Sequence, residues 1–122
     1  IILQDVKNAG SMPPEKIKEK EGERILGSLK ADEYVILLDE RGRTYTTLEL
    51  ASFLSSTPVT TKKRIVFVIG GAWGFHESVY SRADHRLSLS KLTFSHQLVR
   101  LLFAEQLYRV LSVSAGDPYH HE

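Results

Sequence analysis

His96, Arg100, Glu105 and Arg109 recur among the leucines of one long apolar-rich stretch. Imidazole titrates near neutral pH and guanidinium keeps its charge, so the first two could accept a proton or steady an anion. Polar groups on a helix that packs tightly need partners or a task. A core helix with one or two solvated stripes answers the same pattern without chemistry. Glu105 and Arg109, at i and i+4, are spaced for a structural ion pair. Asp39 closes the apolar run Tyr34–Leu38. There it is either a site residue beyond the carboxyl end of a strand or a turn former capping its own loop. A second apolar run, Ile65–Ile69, leads into Gly70-Gly-Ala-Trp-Gly74. These glycines permit a sharp turn and the close approach of a flat ligand. The segment is not G-x-G-x-x-G and lacks a P-loop lysine, so it does not read as a phosphate cradle.

The elements that must hold these residues follow from hydrophobic patterning. Ile1–Val6 reads as a strand and Lys7–Ser11 as a connector. A helix opens at Pro13-Pro14, where a missing N–H costs nothing, and runs to about Leu29. Gly22 interrupts it at a cost of about 1 kcal/mol, which close packing or plain exposure would explain. Tyr34–Leu38 and Ile65–Ile69 lack alternation, as strands buried on both faces do. A turn over Glu40–Arg43 is expected after the first. Thr46-Thr-Leu-Glu49 is a capping box that opens a short helix burying Leu50, Ala51 and Leu54. Thr57–Lys63 reads as a polar loop, with Lys62, Lys63 and Arg64 a solvated charge run. His76–Ala83 reads as a short helix, and Leu87 and Leu89 mark a third strand. Thr93 or Ser95 then caps the long helix. Its Leu98, Leu101, Leu102, Phe103, Ala104, Leu107 and Leu111 cover more than one face, so burial on several sides is expected. Alternating strands and helices with unalternated strands predict an α/β fold, a mainly parallel sheet flanked by helices.

Composition narrows the class. The 122 residues suit one domain with one core. Hydrophobic residues make up 42% and charged residues 25%, an ordinary globular balance. No run of eighteen apolar residues is present, which predicts no membrane span. The absence of cysteine excludes disulfides, thiol catalysis and thiolate metal sites, and fits a reducing compartment. With a formal charge of +1, the chain is less basic than a protein holding nucleic acid by electrostatics alone. An RNA partner would require clustered cations, doubling in a dimer, or recognition by shape.

Five segments stand in a telling order: Phe67-Val-Ile-Gly-Gly-Ala-Trp-Gly74, Leu89-Ser-Lys-Leu-Thr-Phe94, His96-Gln-Leu-Val-Arg100, Glu105-Gln-Leu-Tyr-Arg109 and Pro118-Tyr-His120. With Lys18-Glu-Lys-Glu-Gly22 and Leu37-Leu-Asp39, they resemble the bacterial large-subunit rRNA pseudouridine N3-methyltransferases, the RlmH family of the SPOUT class. The resemblance covers essentially the whole chain. Family members begin with a further strand and helix, so residues 1–122 are read as a single SPOUT domain lacking that segment.

The resemblance implies a deep C-terminal trefoil knot, a homodimer and a cytoplasmic location. It implies S-adenosylmethionine bound by Leu38, Gly70, Gly71, Leu89, Ser90, Lys91, Leu92, Thr93 and Phe94. The implied substrate is a pseudouridine of 23S rRNA in the assembled ribosome, methylated at N3 without a metal. N3 carries an imide proton, so a base or a positive field is needed; His96, Arg100, Tyr119 and His120 are the candidates. Trp73 is read as an RNA contact or a packing aromatic. Two other classes are weighed. A non-catalytic ribosome-binding or assembly factor of the same fold would need no cofactor pocket. A generic nucleotide-binding domain would prefer phosphate-bearing ligands.

Overall fold

The computed structural model describes residues 2–5, 13–70 and 74–114. Among these residues four strands form one parallel sheet: β1 (Ile2–Asp5), β2 (Glu33–Arg43), β3 (Arg64–Ile69) and β4 (His85–Leu87), in the order β1-β3-β2-β4. Five helices join or follow them: α1 (Pro14–Ser28), α2 (Thr47–Leu54), α3 (Thr57–Thr60), α4 (Glu77–Arg82) and α5 (His96–Ser114). Successive side chains of a strand point to opposite faces, so the apolar run of β2 feeds two cores. Tyr34 and Ile36, with Phe67 of β3, pack against Leu50, Ala51, Val59, Phe103 and Val110 on the α2–α3–α5 side. Val35 and Leu37, with Val66 and Val68, pack against Ile25, Phe75 and Val79 on the α1–α4 side. The result is three layers with a sheet buried on both faces.

Local chemistry sets several boundaries. The capping box forms as expected: Glu49 N–H donates to Thr46 Oγ1 at 3.1 Å and Thr46 N–H to Glu49 Oε1 at 2.8 Å. Gly22 is a packing glycine, because a Cβ there would lie 3.2 Å from His76 Cβ and 3.4 Å from Val79 Cγ2. Leu98 N–H donates to Ser95 Oγ at the start of α5, while Thr93 donates to Glu40 Oε2 at 2.8 Å. Ser95 is therefore the cap, and Thr93 bridges two loops.

Four expectations are corrected. β2 does not stop before Asp39. It continues to Arg43, and Leu38 and Arg43 both register with Leu87, so residues 39–42 loop out within the strand. Asp39 accepts the Arg41 N–H at 3.0 Å, and Gly42 lets this loop press against the Arg86 backbone. The supposed loop 57–63 contains α3, with Pro58 in its first turn and Val59 buried beneath it. β4 lies earlier than Leu87–Leu89; Leu87 ends it, and Ser88 turns away by donating to Ser90 O at 2.8 Å. α5 buries one face only: Phe103, Val110 and Ser112 are buried, whereas Leu98, Leu101, Tyr108 and Leu111 are exposed. Among the described residues no second layer covers them.

Candidate functional site

The carboxyl ends of β2, β3 and β4 open into a cavity of about 560 Å³. Leu38 supplies one wall, Ile69 and Gly70 the floor beyond β3, and Leu87 the end of β4. The loop after β4 closes a further side with Leu89, Ser90, Leu92, Thr93 and Phe94, and α5 adds His96 and Val99. Lys18 enters from α1, while Asp39, Glu40 and Arg41 enter from the loop within β2. The loop after β4 is shaped by its own hydroxyls. The Ser88 and Ser90 bonds tighten it, with Leu92 N–H donating to Ser90 Oγ at 3.0 Å, and Thr93 fastens it to Glu40.

Gly70 serves two purposes. A Cβ there would lie 2.9 Å from the Phe75 ring, so any larger residue displaces that ring from the cavity wall. Its carbonyl lies 2.8 Å from His96 Nδ1. A carbonyl only accepts, so Nδ1 carries the hydrogen; the neutral ring then has its lone pair on Nε2. Thus the turn that borders the cavity also sets the tautomer of the histidine beside it.

A polar cluster stands at the opposite rim. Tyr80 donates to Asp39 Oδ2 at 2.5 Å, and Arg41 Nη2 donates to the Tyr80 oxygen at 2.7 Å. Burial opposes the Asp39 charge, but the Tyr80 hydroxyl and the Arg41 N–H and guanidinium outweigh it and hold the carboxyl below its usual range. Burial, then the Asp39 hydrogen bond and charge, push the Tyr80 hydroxyl up. Asp39 is consequently both turn former and rim residue.

Leu38, Gly70, Leu89, Ser90, Leu92, Thr93, Phe94 and His96 thus meet around one cavity. Lys91 is exposed on the same loop and outside that lining, and Arg100 is exposed one turn beyond His96 on α5. Gly71, Trp73, Tyr119 and His120 lie outside the described residues. Glu105 and Arg109 form the expected ion pair, with Nε 2.6 Å from Oε1. The sequence reading gave no site role to Lys18, Glu40 or Arg41. Lys18 stands in a heavily charged helix face and the other two in a presumed turn, so only the burial of neighbouring elements distinguishes them. Among the described residues no group of three or more His, Asp or Glu could hold a metal ion. No helix among them is long and apolar enough to cross a membrane.

A parallel α/β sheet with a cavity at its strand ends and a histidine of fixed tautomer is an arrangement that can hold a small molecule beside a reactive group. The sequence model described as predicted SPOUT methyltransferase matches residues 1–120, and the chain belongs to that family. It is accordingly a methyltransferase, which requires a methyl donor. The chain is 46% identical over 121 residues to a Parabacteroides distasonis protein named ribosomal RNA large subunit methyltransferase H, covering 99% of this chain and 77% of that protein. Proteins of the same name from Christiangramia forsetii and Porphyromonas gingivalis are 45% identical over 120 residues and 43% over 121. They are covered to 76% and 77% of their lengths, by 98% and 99% of this chain.

Proposed function

We propose that this protein methylates N3 of a pseudouridine in 23S rRNA of the assembled ribosome, with S-adenosylmethionine as methyl donor. The observation that carries this reading is the cavity at the ends of β2, β3 and β4, with His96 anchored to the Gly70 carbonyl at its edge. Its volume lies within the range of about 300–1,000 Å³ of small-molecule sites. The residues present suit the donor. Leu38, Leu87, Leu89 and Phe94 offer apolar walls for a flat base, Gly70 allows close approach, and Lys18 and Glu40 bring both signs of charge for an amino-acid tail. When bound, S-adenosylmethionine supplies an electrophilic methyl group on its sulfonium.

The protein's part is to hold the target and remove its imide proton. His96 accepts that proton at Nε2, since Nδ1 is committed to Gly70. Imidazolium formation leaves the Nδ1–H bond intact, so the ring need not turn during the step. Arg100 stabilises the imide anion or holds a phosphate. Tyr119 stacks on a base, and His120 shares the proton-handling role. Leu38, Gly70, Gly71 and the segment Leu89-Ser90-Lys91-Leu92-Thr93-Phe94 hold the cofactor.

The reading also carries a homodimer, a cytoplasmic location, a single domain spanning 1–122 and a deep C-terminal trefoil knot. The exposed Leu98, Leu101, Tyr108 and Leu111 of α5 support a second copy, because an apolar helix face of that extent gains by being covered. Two subunits would then build one composite surface, one presenting the cofactor and the other a tail that touches RNA. Calorimetric titration with S-adenosylmethionine, S-adenosylhomocysteine and ATP tests the proposal. Saturable binding of the first two and not of ATP is expected; a folded protein that binds neither would overturn it.

A further inference from the structure

We infer that Lys18 is a specificity residue for the methyl donor, pairing its ammonium with the α-carboxylate of the donor's amino-acid tail. This rests on the reading of the main cavity as the S-adenosylmethionine site. The charge layout singles Lys18 out. The walls formed by Leu38, Leu87, Leu89 and Phe94 are apolar, and among the described residues the cations on the lining apart from His96 are Lys18 and Arg41. Arg41 is already engaged. It donates to the Tyr80 hydroxyl at 2.7 Å, lies 3.6 Å from Asp39 Oδ1 and stands over the Tyr80 ring, with its side chain 70% exposed.

Lys18 is differently placed. Its side chain is only 24% exposed, so the stem is held against the protein. Its ion pair, Nζ to Glu15 Oε1 at 3.1 Å, is with a carboxylate 82% exposed and one helical turn away. Such a pair is weak and readily exchanged for a carboxylate held in a cavity. Lys18 and Arg41 both also line a smaller cavity of about 300 Å³ with Glu15, Phe75, His76, Glu77 and Tyr80, so what separates them is that the Arg41 guanidinium is tied to Tyr80 and Asp39. Lys18 therefore stands where the main cavity meets the smaller one. With the base against the leucines, a tail reaching the junction would meet the Lys18 ammonium for its carboxylate. Glu40 on the main cavity then remains for its ammonium.

The test compares two ligands that differ only in the carboxylate: S-adenosylmethionine and its decarboxylated analogue. Each is titrated calorimetrically into the unsubstituted chain, into Lys18→Met, which keeps an unbranched stem of similar length, and into Lys18→Arg. Lys18→Met should weaken S-adenosylmethionine by about tenfold to a hundredfold while leaving the analogue within about twofold; Lys18→Arg should recover much of the loss. Equal losses for both ligands, or no loss for either, would overturn the assignment. Should Lys18→Met fail to fold by circular dichroism, the unsubstituted chain still decides, because equal affinity for the two ligands would overturn it too. An unsubstituted folded chain that binds neither ligand removes the cofactor reading itself, and this inference with it.

Discussion

Glu21 is buried at a cost to the fold. It is 4% exposed, and among the described residues its Oε1 has no hydrogen-bond partner. Burial pushes its carboxyl up, with Arg24 and then His96 opposing through their charges. A carboxyl whose folded pKa exceeds its unfolded value binds more protons in the native state. Its contribution to stability is therefore best below the unfolded value of 4.5 and declines as pH rises through the folded pKa. Glu21→Gln keeps the shape and removes the charge. It should stabilise the protein by about 1–2 kcal/mol at pH 8, with the gain shrinking towards pH 4. Urea midpoints across that range measure it, and a pH-independent difference would contradict the account. The contrast with Asp39 is instructive: it too is largely buried, yet Tyr80 and Arg41 compensate it and its carboxyl moves down.

The irregular second half of β2 is the element on which the cavity depends. A strand that simply ended at Leu38 would leave Asp39, Glu40 and Arg41 wherever a surface turn put them. Because Leu38 and Arg43 both register with Leu87, the residues between are pressed into a loop over the strand ends. Gly42 makes this possible. A Cβ there would lie 2.7 Å from the Arg86 carbonyl carbon and 2.9 Å from Leu87 N, both backbone atoms that cannot rotate away. Gly42→Ala should cost about 1–3 kcal/mol through overpacking. It should also weaken the proposed S-adenosylmethionine binding, since Leu38, Leu87 and Arg41 frame the cavity. Denaturant unfolding and calorimetry on the same sample check both effects. Wild-type stability in that variant would show that the loop relaxes freely.

At the scale of the molecule, α5 has two unlike sides. Phe103 packs its ring 4.7 Å from that of Phe67 in the core, while Leu101, two residues earlier, is 68% exposed. Leu101→Glu should change the stability of the isolated fold by no more than about 0.5 kcal/mol, because the side chain is mostly exposed there. In a dimer joined through α5 the same change buries a charge against apolar side chains. Sedimentation velocity should then give a dimer for the unsubstituted chain and a monomer for Leu101→Glu, with methyl transfer lost in the variant. A monomeric unsubstituted chain would remove the composite-surface proposal.

Patterning by itself determined the fold class and most of the elements. Apolar runs without alternation mark strands covered on both faces, and capping residues mark helix starts; both are local signals set by side-chain direction and backbone hydrogen bonding. Gly70 and the Leu89–Phe94 segment were legible as site candidates, from the glycine turn after an apolar run and from the family resemblance. Other features depended on contacts between elements distant in sequence. The loop in β2 exists because Leu87 pairs twice, and α3 forms because Val59 has a core to enter. Lys18 reaches the cavity because Gly22, one turn further along α1, lets that helix close on α4. The single buried face of α5 was likewise invisible in its leucines, since apolar residues look the same whether they face their own core or a second subunit. His96 shows the division most clearly. Its type and helix position could be read from the chain, but its tautomer is set by a carbonyl 26 residues away that only the folded sheet brings within 2.8 Å.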